Sequence, residues 1–335
     1  MKEGKKSHAG CPNLYLRLMG WLIVPIALFG CKLESSAEIV NQGMGTDVVF
    51  TLTSDKWSQW LAENKKEYPI PLWRISESGD VIEEFGILSD DGRGADMAKL
   101  DGTYSVGFTF DESLSRVLRF RAGYDAANPK TWSNSLTLKI QPPEVDVNYF
   151  SQIAFGEEFG DAEDVIQKWR QNLRIQYFGA PTAIDLTQLD LVISELNELI
   201  GHSIKLEIVN ENPNVTIYFV PVSQFRKYEK NYVANNLGFF WEEVDSEGIY
   251  AVNILISTTR VTQLQRSHLL REELTQSLGL MRDSYDYPQS IFYQGWTATT
   301  EFTDLDRNLI SILYREDITH GMTRDEAFSQ LGVAD

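Results

Sequence analysis

Apolar and polar positions alternate with a period of two through much of residues 47–141. Val48–Thr53, Leu72–Ser76, Val81–Leu88, Thr103–Phe110, Val117–Tyr124 and Ser135–Ile140 read as strands. Ser78-Gly79-Asp80 is a hairpin-type turn between two of them. Strands at this spacing, separated by polar turns, predict an all-β sandwich. Pro142-Pro143 then read as a stiff extended linker. Beyond it the period changes. Leu173–Phe178, Ile204–Val209, Val215–Pro221 and Ile249–Ile256 remain strand-like. Leu186, Leu189, Ile193, Leu196 and Ile200 recur at helical intervals, so Asp185–Ile200 is predicted as a helix capped by Gly201. Leu270, Leu274 and Leu278 mark another helix, and Leu305–Tyr314 a third. Asp245–Gly248 is a polar turn and Asp317–Met322 a loop. Thr323 with Glu326 fits a capping box opening a last helix through Leu331. Residues 147–335 are therefore predicted as an α+β domain.

The chemistry concentrates in the second helix. Glu272-Glu273-Leu274-Thr275-Gln276-Ser277-Leu278-Gly279-Leu280 has the spacing of a zincin helix, in which H-E-x-x-H puts two zinc-binding His on one face around a general-base Glu. With the register set on Gly279, Glu272 and Gln276 occupy the first two ligand positions and Glu273 the general-base position. The third ligand position falls on Arg282. The apolar turn expected below the site falls on Ile291-Phe292, with Tyr293 after it. None of the three ligand positions is His, so zinc is not expected. Arg282 has no lone pair to offer a metal; a guanidinium against Glu272 or Glu273 is expected to neutralise the site instead. The plainer reading is an ordinary buried helix stripe with Gly279 as its cap and both Glu solvated. His268, four residues before Glu272, offers a shifted His–Glu pair, too few ligands for a closed zinc site.

R-S-H-L-L-R-E-E-L-T-Q-S-L-G-L-M-R-D-S, Y-P-Q-S-I-F, L-D-R-N-L-I-S-I-L-Y and G-M-T-R-D-E-A together resemble a bacterial domain family of unknown function, family 2927, from about Val147 to the C-terminus. The family name implies no activity. The order strand–helix–strand–strand–strand–helix also resembles a metzincin upper domain. That resemblance implies a metzincin-like (zincin) α+β fold with a cleft where peptide adds as a strand, by analogy beside Tyr250–Ile256.

Residues 1–31 read as a targeting segment. Lys2, Lys5, Lys6 and Arg17 form a basic leader, and Trp21–Phe29 is a short apolar run. Leu28-Phe29-Gly30-Cys31 resembles a bacterial lipobox, which implies lipidation of Cys31; an ordinary cleaved signal peptide is the alternative. Residues 32–46 read as a tether, and the lack of an acidic residue directly after Cys31 points to the outer membrane, facing the periplasm or the cell surface. The chain has two cysteines, Cys11 in the leader and Cys31, so a processed chain has no intramolecular disulfide and needs a real core. Thirty basic and 48 acidic residues give −18, and removing the leader leaves −21. Such a surface repels nucleic acid and anionic lipid, so membrane attachment would come from acyl chains.

Ser89–Asp96 and Asp101-Gly102-Thr103-Tyr104 resemble loops of bacterial immunoglobulin-like modules, which makes the β-region an Ig-like sandwich over 47–141. Asp90, Asp91, Asp96 and Asp101 could hold calcium. The spacing is not that of an EF-hand, and Asp-Gly runs also simply favour turns. G-x-S-x-G, nucleotide-binding Gly-rich and C-x-x-C motifs are absent. The expected function is a lipid-anchored pseudo-peptidase serving as an envelope binding or assembly module, with a peptide or envelope protein as partner. An active metallopeptidase, with Glu273 as base and Glu272, Gln276 and His268 around a weakly held ion, is the second reading. A structural envelope protein with no cleft function is the third.

Overall fold

Among the described residues, ten strands precede the first helix. The computed structural model describes residues 11–18, 22–28, 31–53, 69–123, 133–156 and 164–333. It divides into one unit of Met1–Ser113 with Val117–Gln141, and a second of Leu114–Arg116 with Pro142–Asp335. In the first, β1 (Cys11–Leu18) and β2 (Leu22–Leu28) pair antiparallel. Then come β3 (Lys32–Ser35), β4 (Ile39–Asn41), β5 (Thr46–Thr53), β6 (Ile70–Ile75), β7 (Val81–Leu88), β8 (Thr103–Phe110), β9 (Arg116–Ala122) and β10 (Leu136–Gln141). They form a sheet β3-β5-β8 and a sheet β4-β10-β9-β6-β7. Alternate residues from both, including Leu33, Phe50, Leu72, Phe120 and Leu138, share one core. All six strands read from the pattern are present, and Gly79 turns between β6 and β7 at φ +87°.

Residues 32–46 are not a tether. β3 pairs with β5 and β4 with β10, and Leu33 and Val40 are buried in the core. One buried residue in a three- or four-residue strand is too little alternation to register as a period.

In the second unit, Pro143 does not extend a linker but caps α1 (Glu144–Ile153). The order continues β11 (Leu173–Gly179), α2 (Ala183–Ile200), β12 (Leu206–Ile208), β13 (Val215–Val220), α3 (Phe225–Tyr228), β14 (Gly238–Asp245), β15 (Gly248–Ser257), α4 (Gln263–Gln276), α5 (Asp304–Leu313) and α6 (Arg324–Leu331). The sheet order is β12-β11-β13-β15-β14; β14 is antiparallel to β15 and the other pairs are parallel. Tyr250–Ile256 therefore lies inside the sheet, and the open strand on that side is β14, which the pattern missed. Gly238-Phe239-Phe240-Trp241 is apolar without alternation, because its two faces contact different neighbours. Phe240 packs on the main core, whereas Phe239 and Trp241 join a small cluster with Phe225 and Tyr232.

Four helices start with the same device. Thr182, Thr262, Thr303 and Thr323 each accept from the N–H three residues on, and the residue there returns a side-chain bond. Asp185, buried in the first of these boxes, also receives Gln263 Nε2 at 2.6 Å and Arg266 Nη1 at 3.0 Å. The start of α2 thereby fixes the start of α4. Among the described residues no helix is long and apolar enough to cross a membrane.

Candidate functional site: a cleft between an edge strand and a buried polar helix

α4 departs from an ordinary amphipathic stripe. Leu270, Leu274 and Leu278 are buried as expected, but so are Ser267, His268, Arg271, Glu273, Thr275 and Gln276. Burying polar groups is unfavourable unless each finds partners. Arg271 pairs with Glu195 and lies 4.2 Å from the Phe302 ring centroid. Thr275 Oγ1 donates to the Arg271 carbonyl at 2.7 Å. Gln276 Nε2 donates to Asp283 Oδ1 at 2.6 Å. His268 Nδ1 lies 2.6 Å from the Thr299 carbonyl, which only accepts, so Nδ1 carries the proton. His268 Nε2 faces Glu272 Oε2 at 3.4 Å. Burial pushes the His268 imidazole below its ordinary value, and the Thr299 carbonyl works against this.

The exposed side of this network opens into a cleft of about 700 Å³. β14 and the preceding loop form one wall. Glu272, Glu273 and Gln276 of α4 form the other, with Met281, Asp283, Tyr285 and Trp296 beyond. The two walls touch at Gly238, where a Cβ would fall 2.2 Å from Glu273 Oε1. The lack of a side chain there lets the strand pass over the carboxylate. Gly279 is similarly required: its φ is +119° and a Cβ would fall 1.9 Å from the Gln167 carbonyl oxygen. Below, Ile291 and Phe292 are buried in a turn, with Tyr293 partly exposed after it. The Ile291 N–H and Ser290 Oγ both donate to the buried Asp306 carboxylate, at 3.2 and 2.5 Å.

Glu272, Glu273 and Gln276 thus share one wall, and Arg282 does not join them. It is exposed, and its Nη1 donates to the Phe155 carbonyl at 3.3 Å. The chain after Leu280 runs outside any helix or strand, and its residues divide between two sides. Met281, Asp283 and Tyr285 line the cleft, whereas Arg282 faces away. The expected guanidinium in place of zinc is therefore corrected to a carboxylate, Asp283, one residue on. Two of the expected ligand positions offer a carboxylate and an amide, and the third is turned out of the cleft. Among the described residues, three ligand-type side chains come within 4.8 Å of one another only at Asp90, Asp96 and Asp101.

That second cluster lies in the loop before β8. Asp90 accepts from the N–H groups of Asp101 and Gly102 at 3.1 and 2.9 Å. Asp96 accepts from Gly92 and Ala98. Burial pushes the Asp90 carboxyl above its ordinary value despite those N–H groups. Asp91, the fourth expected calcium ligand, is outside the cluster and accepts from the Arg93 N–H. Cys31 is disulfide-bonded in this structure, which occupies the sulfur that a lipid thioether would need.

The second unit is a domain with a mixed five-stranded sheet whose edge strand and buried polar helix enclose an acid-bearing cleft. The chain belongs to the family described as "Protein of unknown function (DUF2927)", which matches residues 145–332. No curated protein matches. Among solved structures, the crystal structure of myroilysin is similar at TM-score 0.31 and 10% identity, over 51% of this chain and 96% of that one. A beta-glucosidase from Listeria innocua is similar at TM-score 0.20 and 11% identity, over 38% of this chain and 19% of that one. A metagenome-derived glycoside hydrolase family 9 endoglucanase is similar at TM-score 0.21 and 12% identity, over 90% of this chain and 64% of that one. Likenesses this distant carry no argument about fold or function.

Proposed function

We propose that this chain is a lipid-anchored cell-envelope protein, attached through Cys31 to the outer membrane. Its N-terminal unit acts as an Ig-like spacer. Its C-terminal domain is a degenerate, metzincin-like module that holds a peptide or envelope protein partner without cleaving it. One observation carries this reading: the cleft keeps a carboxylate at the general-base position, Glu273, against an outermost strand, while the ligand positions around it hold Glu272, Gln276 and an averted Arg282. A cleft of this shape supports strand addition by a peptide, and its side chains do not support a closed metal site. In the test, the purified full chain is incubated with mixed peptides, with and without chelator. The expected result is no hydrolysis, together with slowed amide exchange in β14 when a peptide binds. Chelator-sensitive hydrolysis abolished in Glu273→Gln would establish instead the second reading, a peptidase with Glu273 as general base. What favours that reading is the placement of Glu273 beside Glu272 and Gln276 in one cleft. Anchoring is tested by fatty-acid labelling, expected to be lost in Cys31→Ser. Within the same reading Asp90, Asp96 and Asp101 are the place for calcium, tested by a calcium-dependent rise in melting temperature.

A further inference from the structure

The chemistry of the partner segment can be argued from the cleft itself, on the reading just proposed. β14 ends its sheet. The Ser257 N–H donates to the Leu237 carbonyl, and these two residues stand directly opposite in the register that pairs Gly238 with Ile256. Opposed antiparallel residues alternate between bonded and non-bonded pairs. Phe239 and Trp241 therefore turn their backbone groups to β15, while Gly238 and Phe240 turn theirs outward. This outward row is a place for an added strand.

The side chains beside the row have one sign. Glu229, Glu242, Glu272, Glu273 and Asp283 line the cleft, and no Lys, Arg or His lies among the described lining residues. These carboxylates make contacts of their own within the protein, such as Gln276 with Asp283; what matters is the excess of one sign in the wall of a chain of net charge −18. A cleft lined by one sign focuses the field and selects the opposite charge. Aromatic rings stand at its rim: Trp296 is 58% and Tyr285 70% exposed. Ring faces attract ammonium and guanidinium groups, and carboxylates bind them with charge-assisted hydrogen bonds.

We propose that the cleft binds an extended segment of a partner protein with Lys or Arg at alternate positions. Its backbone pairs with the outward row of β14, and its cationic side chains pass the rim aromatics to the carboxylates. The full-length chain is titrated by calorimetry with three peptides of equal length. Each has the same alternating apolar residues, and the intervening positions are Lys/Arg, Gln or Glu. The expected order is the basic peptide at least tenfold tighter than the Gln peptide, with no measurable binding of the Glu peptide. The basic peptide's advantage shrinks as salt is raised. N-methylation of its alternate amides in the pairing register abolishes binding. Glu229→Gln with Glu242→Gln reduces the preference for the basic peptide at least threefold, and Trp296→Ala, at an exposed site that leaves the core intact, weakens that peptide severalfold. Equal binding of the basic and Gln peptides overturns the charge selection and leaves peptide docking standing. Binding that survives N-methylation in both registers overturns the strand pairing. If none of the three peptides binds, the docking reading beneath the proposal falls as well.

Discussion

Two regions of this chain present acidic groups at suggestive spacing, and they behave in opposite ways. In the loop before β8, Asp90, Asp96 and Asp101 converge within 4.8 Å, and all three carboxylates accept from N–H groups of the loop or of the first residue of β8. In the cleft, Glu272, Glu273 and Gln276 share a wall, but the residue expected to complete them points elsewhere. In the loop, the converging carboxylates also bond the turn's own N–H groups. Partial convergence in the cleft is what remains when a helix positions its own groups and the loop after it brings Asp283 rather than Arg282 to the cleft. Spacing along a helix is a firmer guide than spacing across a turn.

The comparison can be broken at several points. The largest effect is expected at Gly279→Ala, which forces a Cβ against the Gln167 carbonyl at a φ that disfavours it; a loss on the order of 3 kcal/mol or more should appear in urea unfolding. An unchanged midpoint would mean that the chain after α4 does not follow this course. Gly238→Ala is expected to cost about 1–3 kcal/mol as overpacking. Glu273→Ala should relieve part of that cost, giving a coupling of roughly 0.5–3 kcal/mol in a double-mutant cycle. Additive losses would separate the two walls of the cleft.

Asp90→Ala leaves the Asp101 and Gly102 N–H groups without their acceptor, a loss of about 1–3 kcal/mol, whereas Asp91→Ala on the exposed side should stay within about 0.5 kcal/mol. Equal effects would dissolve the distinction between them.

Stability should also respond to pH with a definite sign. Burial raises the carboxyls of Asp90, Asp146 and Asp306. Their contribution is fully present below the ordinary carboxylate value of 3.8 and lost as pH rises through their folded values. His268, lowered by burial, contributes above its ordinary 6.5 and loses that contribution as pH falls through its folded value. Asp306→Asn should therefore flatten the decline in urea midpoint on the way from about pH 4 to about pH 7. An effect as small as that of Asp91→Ala, within about 0.5 kcal/mol, is expected at Arg282→Ala, because its guanidinium is exposed; a collapse of the fold would restore it to the cleft.

Much of this was legible in the residues. β7 and β8 have the predicted bounds, and α2 ends at Gly201 as read from its five apolar positions. Of the four capping boxes only Thr323 with Glu326 was recognised in the pattern. Thr182 with Asp185, and Thr303 with Asp306, use Asp where the familiar signature has Glu or Gln. α1 went unseen because Pro142-Pro143 reads as extended, although a proline directly before a helix suits its N-terminus. β14 was hidden by its mixed environment. In the cleft, Glu272, Glu273 and Gln276 were found because helical spacing is regular. Asp283, Trp296 and Gly238 were not, since each reaches the cleft from a strand or loop with no period to follow. Asp283 was one position from the residue chosen, and alternation from the buried Met281 was the signal that could have found it.

β3 begins at Lys32. An acyl group on Cys31 would therefore be fastened one residue from a sheet, with a reach of roughly 3.5 Å rather than the length of a flexible leash. The β-unit would sit flush with the bilayer, and its orientation there would be set by the direction of β3. Inserting ten Gly/Ser residues between Cys31 and Lys32 would change where the protein can reach without altering anything it can hold.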